Sequence, residues 1–233
     1  MGLGLAIRLE HAFEADHVVA VSTQVSKIRS AKKSVKLAIK TGITKSSLLG
    51  AIWGAGHTTT LVLMGLLVYS LAITIPNEVF SGFEFMVGMM LVFLGVTTIL
   101  NKKFKFRHKH PHQHQDGTLH FEAHAHSDVE HSHTHKSYII GLIHGLAGSG
   151  SLVVLTASTL SNIEMVLSFI LIFGIGSIIG MTLVSGVLGL PFALSAKAST
   201  LNKTFRYVAG GFSFIIGASI VYEIGVLNNL FGF

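Results

Sequence analysis

Long apolar stretches separated by short polar or basic clusters dominate the chain. Runs of about 18 or more predominantly apolar residues are long enough to cross a bilayer core as a helix. Six such spans are read, at residues 2–24, 46–75, 84–101, 137–160, 165–190 and 207–228. The first is polar for a membrane helix, and the second carries one ionisable residue, His57. Between the spans lie a basic connector (25–45), a short turn around Pro76 and Asn77, a histidine-rich segment (102–136), a tight turn near Asn162, and a loop from Pro191 to Arg206. Pro76, Pro111 and Pro191 all fall at span ends or in loops. That supports the boundaries, because proline interrupts the helical hydrogen-bond ladder.

Composition agrees with this division. Half of the 233 residues are hydrophobic and only 12% are charged, where a soluble domain carries about 25% charged residues. Mean hydropathy is +0.63. No basic region precedes the first apolar run, so no cleavable signal is expected. The absence of cysteine excludes disulfides, thiolate metal sites and a thiol nucleophile. A pI near 9.6 raises nucleic acid as a partner, but the placement of the charges argues otherwise. The connectors 25–45, 102–136 and 191–206 hold 7, 6 and 3 of the 17 Lys and Arg residues. The alternate turns, near 76–83 and 161–164, hold none and carry Glu78 and Glu164. By the positive-inside rule the basic loops face the cytoplasm and both termini face outside, across the cytoplasmic (inner) membrane. The net charge is a topology signal, and no nucleic-acid partner is expected. The stretch KIRSAKKSVKLAIK (27–40) is either an interfacial helix on the anionic inner leaflet or a solvated basic loop.

The two halves resemble each other. HAFEADHVVAVST from His11 aligns with HGLAGSGSLVVLT from His144, and GAGHTTTLVLMG from Gly54 with GIGSIIGMTLVSG from Gly174. FEFMVG (83–88) aligns with FRYVAG (205–210), after which Gly95 matches Gly217. Each half holds three spans, and an odd number inverts the second copy. The expected fold is an all-α polytopic membrane protein of six transmembrane helices in two inverted three-helix repeats. Residues 1–101 form the first repeat, 102–136 a disordered cytoplasmic His-rich loop, and 137–233 the second repeat of one membrane domain.

Charged groups inside the first span need a reason. A charge near the bilayer centre costs about 2.5–3.5 kcal/mol on the insertion scale, and Glu10, Glu14 and Asp16 all lie there. They must face the bundle interior, a watery cavity or cationic partners such as Arg8 or a divalent metal. On a regular helix His11, Glu14 and His17 share an arc of about 120°, with Glu10 inside it, whereas Asp16 points about 140° away from His11. His11 and His17 are about 9 Å apart along a straight helix. One ion therefore cannot touch both unless the helix is distorted, or the two serve different steps of a path. His57 lies about 17 Å into the second span, near the midplane. Gly54 and Gly56 precede it, and Gly174 and Gly176 repeat the feature in the fifth span. His144, the repeat-mate of His11, has only small neighbours and is a further candidate ligand.

Ten of the 14 histidines (His108, His110, His112, His114, His120, His124, His126, His131, His133 and His135) fall in the segment 102–136. Such tracts capture transition metals loosely, without a fixed geometry. The segment has too few apolar residues to fold a core. Imidazole and carboxylate without thiolate suit Ni²⁺, Co²⁺ and Zn²⁺ better than Cu⁺, and histidine disfavours Mg²⁺ and Ca²⁺.

HAFEADH and GAGHTTT resemble the nickel/cobalt transporter family, most closely its shorter, urease-accessory-like branch. The family's leading signature is a histidine, four residues, then Asp-His, met here by His11, Asp16 and His17. A second, Gly-His followed by Ser or Thr, is met by Gly56, His57, Thr58 and Thr59. The resemblance implies metal coordination or passage by His11, Asp16, His17 and His57. The family's later, acidic and Thr-rich signatures are replaced by LAGSGSLVVLTAST and GMTLVSG.

The function expected is a secondary permease for Ni²⁺ and/or Co²⁺, with Zn²⁺ a further substrate. Its metal site comprises His11, Asp16, His17, His57, Glu14 and His144, and it has no cofactor and no enzymatic activity. Proton coupling through Asp16, Glu14 or the histidines is in keeping with such a site. Partners are the divalent ion, the bilayer, and a cytosolic metallochaperone or metalloenzyme-maturation protein. Two rivals stand beside it, efflux of the same ions and metal delivery without transport. An intramembrane hydrolase built on Ser149 fits known serine patterns poorly, and there is no HExxH motif.

Overall fold

The computed structural model describes residues 12–28, 34–71, 75–100, 110–113, 119–122, 132–147, 162–195 and 198–230. The helices are α1 (Ala15–Val25), α2 (Val35–Leu71), α3 (Asn77–Ile99), α4 (Ser132–Leu146), α5 (Ile163–Leu194) and α6 (Ser199–Tyr222), the last running into a π-helical turn, Glu223–Leu227. Among the described residues, four stretches are long and apolar enough to cross a membrane: Lys36–Leu71, Glu78–Ile99, Ile163–Leu194 and Ser199–Leu227. They correspond to the second, third, fifth and sixth expected spans. α1 and α4 have 11 and 15 residues, and the remainder of the first and fourth expected spans lies largely outside the described residues.

The outer surface is that of a membrane protein. On α5, Leu171, Ile175, Ile179, Leu183 and Val187 are all exposed and recur every four residues, forming one apolar stripe. A soluble monomer does not leave so continuous an apolar face in water. Inside, α1 is the central wedge. Ala20 is completely buried. Val21 and Val25 join Trp53, Met181 and Phe192 in one core cluster. Val19 and Ala20 join Val87, Leu91 and Leu94 in another. From Asp16 onward α1 is thus packed among the long apolar helices.

Several expected boundaries are corrected. The basic connector is not separate from the second span, because from Val35 it is the first part of α2. Ala38 is buried there and Gly42 lies against Ala193, so tertiary contact extends the helix through Lys36, Lys40 and Lys45. Thirty-seven residues make a helix of about 55 Å, well beyond a core of about 30 Å. The lysine-bearing end therefore reaches past the apolar zone. α3 begins at Asn77, directly after Pro76 at its N-cap. Pro191 lies inside α5, not in a loop. It sits in the last turn, where packing of Gly189 on Ser46 and Ala193 on Gly42 outweighs one missing hydrogen bond. α6 starts at Ser199, so Lys203 and Arg206 are helical. Within the histidine-rich segment, β1 (His110–Gln113) and β2 (Leu119–Glu122) pair antiparallel, with His112 opposite His120.

The helices pair across the two halves. Contacts run antiparallel between α2 and α5, from Gly42 on Ala193 to Gly174 on Thr58. The Thr58 hydroxyl donates to the Gly174 carbonyl at 3.1 Å. α3 and α6 also run antiparallel. A Cβ on Gly88 would stand 3.1 Å from the Gly217 carbonyl oxygen, and one on Gly95 would stand 2.7 Å from that of Gly210. The Ser213 hydroxyl donates to the Leu91 carbonyl at 2.9 Å across this pair. α4 instead runs parallel to α2. Ser137 donates to the Leu49 carbonyl (2.9 Å) and Thr60 to that of Leu142 (2.9 Å). At the far end of α1, Lys27 stands near Lys136 of α4. Burial, then repulsion from Lys136, holds the Lys27 ammonium below the usual lysine pKa range.

Glycine sets the α2–α4 distance. A Cβ on Gly141 would collide with the Trp53 carbonyl oxygen, and one on Gly145 would stand 2.6 Å from that of His57. Backbone oxygens inside a helix cannot step aside. Gly141→Ala should therefore destabilise the fold by about 1–3 kcal/mol, the usual cost of overpacking. Gly211→Ala, where nothing lies within 4 Å, should be neutral or slightly stabilising. Thermal unfolding in detergent, followed by the emission of Trp53, the single tryptophan, checks both. Equal midpoints for the two variants would contradict the close approach.

Candidate metal centre

The centre forms where α1 begins and α4 ends. Glu14 is the N-cap residue of α1, and Asp16 lies in its first turn. One Asp16 carboxylate oxygen, Oδ1, accepts from the His17 backbone N–H at 2.9 Å. The other, Oδ2, lies 3.8 Å from His17 Nε2 and 3.9 Å from His144 Nε2. One donor atom from each of Asp16, His17 and His144 falls within 4.8 Å of the others. Two donors each about 2.1 Å from one ion stand about 3–4.2 Å apart, so the two Asp16–histidine spacings of 3.8 and 3.9 Å fit a shared cation. Both imidazoles are buried, while Asp16 is 25% exposed. Three protein ligands leave coordination positions open for water or an incoming ligand.

Trp53 aligns the rings. It stacks on His57 with centroids 5.5 Å apart and planes 12° apart. It meets His17 edge-on at 5.0 Å and lies 5.1 Å from His144. His17 is in turn 5.2 Å from His144 and 5.7 Å from His57, centroid to centroid. Three imidazoles from α1, α2 and α4 thus surround one indole that is 1% exposed. Gly141 and Gly145 bring α4 close enough to α2 for His144 to join them. Beyond His17, a gap too narrow for a water molecule is lined by Ala12, His17, Trp53, His57, Ser177 and Met181.

The expected site residues divide as follows. Asp16, His17 and His144 come together, and His57 adjoins them through His17 and Trp53. Glu14 is exposed at the helix cap, away from any shared arc, because α1 starts only at Ala15. Asp16 Oδ2 faces the imidazoles of His17 and His144, while its angle to His11 lies outside the described residues. His11, with Glu10 and Arg8, lies outside the described residues. Of the loop histidines, His110, His112 and His120 lie on the hairpin, and His133 and His135 on α4. His135 is exposed. His108, His114, His124, His126 and His131 lie outside the described residues. Trp53, Ser177 and Met181 were not anticipated from sequence. The available signals were the single tryptophan four residues before His57, and the alignment that sets Ser177 opposite His57.

No family model matches the chain, and no solved structure matches it. Over 229 residues it is 36% identical to the urease accessory protein UreH of Bacillus sp. (strain TB-90), covering 98% of this chain and 93% of that protein. The likeness thus runs through both halves, including the second, where sequence motifs alone were least specific. With His17 and His57 of the two motif stretches gathered at one buried tryptophan, the chain belongs to the short, UreH-type urease-accessory branch of the nickel/cobalt transporter family.

Proposed function

We propose that this chain is a secondary permease that moves Ni²⁺ and/or Co²⁺ across the cytoplasmic membrane through the site at the junction of α1, α2 and α4. The observation that carries it is a carboxylate and two buried imidazoles with donor atoms within 4.8 Å, inside a bundle of lipid-facing helices. The donor set of nitrogen and carboxylate oxygen without thiolate favours borderline divalent ions. Asp16, the most exposed of the three, is the first contact for an arriving ion. His17 and His144 replace part of its water shell.

The alternation of access is read as rocking of two inverted halves. Contact exchange supports that reading. Aligned positions 88 and 210, and 95 and 217, swap partners across the α3–α6 crossing, as 54 and 174, and 58 and 178, do across α2–α5. The relative directions of α2, α4 and α5 also fit the six-span topology with the basic loops in the cytoplasm and both termini outside. Direction of net transport and coupling to protons belong to the same proposal.

A second reading draws on the name of the 36% identical protein, a urease accessory protein. In it the membrane domain serves a cytosolic maturation partner, with the His-rich segment handing metal over.

Two measurements bear on these readings. Asp16→Ala and His17→Ala should each reduce Ni²⁺ flux into proteoliposomes on the order of 100-fold, with insertion and monodispersity retained. Wild-type flux in both variants would refute the site. Replacing 108–135 by a Gly/Ser linker should leave flux in vesicles intact. If metal delivery is the role, the same replacement abolishes activation of a co-expressed nickel enzyme.

A further inference from the structure

The narrow gap beyond His17 does not belong to the Asp16–His17–His144 group. It is bounded by α1, by α2 through Trp53 and His57, and by α5 through Ser177 and Met181. Ser177 is 3% exposed, and its hydroxyl has no hydrogen-bond partner. Hydroxyls within membrane helices ordinarily bond back to a carbonyl one turn earlier. Neighbouring hydroxyls here do so: Thr58 donates to the Gly54 carbonyl (2.8 Å), Thr59 to Ala55 (2.8 Å) and Thr182 to Ile178 (2.6 Å). Ser177 does not. Ser46, Ser185 and Thr98 share that lack, but they do not line this gap with the imidazoles. The sequence alignment places Ser177 at the position of His57 in the second half. The α2–α5 crossing, with Gly54 on Ile178 and Gly174 on Thr58, brings those matched positions to the same level.

We propose that His17, His57 and Ser177 form a second, inner cation position, with His17 shared between it and the outer group. Its ligand is a dehydrated divalent transition-metal ion of borderline softness. A bare ion of this class is smaller than a water molecule, so a gap closed to water still admits it. Imidazole nitrogen and hydroxyl oxygen are suitable donors, and the Met181 thioether in the same wall favours softer ions. Ser177 is then the contribution of the second half to the path, and an ion held there links α5 to α1 and α2. The inner position rests on the metal-transport reading above.

The chain contains no cysteine, which makes the test specific. Ser177→Cys introduces the single thiol of this chain. With Co²⁺ added to that variant in nanodiscs, a near-ultraviolet thiolate–cobalt charge-transfer band should appear, and the added change His57→Ala should remove it. Histidines of the 102–136 segment bind Co²⁺ without producing such a band. In proteoliposomes Ser177→Ala should lower Co²⁺ flux by about tenfold or more. No band in a folded Ser177→Cys variant, with wild-type flux in Ser177→Ala, would overturn the inner position while leaving the permease reading standing. A band in Ser177→Cys with no Co²⁺ flux in the wild type would keep the inner position and sink the permease reading.

Discussion

A carboxylate held between two buried imidazoles, inside a bundle whose outer face is apolar, is the constraint on which the rest depends. A lone charge near the bilayer centre costs about 2.5–3.5 kcal/mol. A unit positive charge about 4 Å away returns about 4 kcal/mol at an effective dielectric near 20. Asp16 Oδ2 lies 3.8 and 3.9 Å from the two imidazole Nε2 atoms, so a cation shared among the three would offset its charge.

That arrangement depends on backbone proximity. α4 reaches α2 only because Gly141 and Gly145 have no side chain to meet the Trp53 and His57 carbonyls. His144 is thereby set beside Trp53. In a membrane, where lipid is as apolar as leucine, close packing and hydroxyl-to-carbonyl bonds hold helices together. The bonds from Ser137, Thr60, Thr58 and Ser213 serve that purpose here. α1, short and polar, is insulated by the four long apolar helices around it. Its exclusion from lipid removes the penalty that its sequence would otherwise incur.

The local chemistry was legible where residue type alone carries it. HAFEADH and GAGH single out Asp16, His17 and His57 as candidate ligands and the internal alignment adds His144, and the structure brings the three imidazoles around Trp53. The second, third, fifth and sixth spans emerged from hydropathy. A regular helix through residues 10–17 misplaces Glu14, because α1 begins only at Ala15 and Glu14 stands at its N-cap. Charge was also read as a boundary at 25–45 and 191–206, although lysines and arginine continue on α2 and α6 once packing supplies the other helix face. Pro191 was placed in a loop for the same reason, since its local penalty is visible in sequence and its compensating contacts are not.

The sequence by itself determined that this chain lives in a membrane, which groups are candidate metal ligands, and which stretches of its two halves align. These follow from transfer free energy and donor chemistry, properties that each residue brings with it. Only the tertiary structure decided that Trp53 gathers three imidazoles, that Asp16 faces inward, and that Ser177 shares a gap with His57. Those depend on how closely and in which direction separate helices cross. Crossing distances are set by side chains that are absent as much as by those present, and no single stretch of sequence contains both partners.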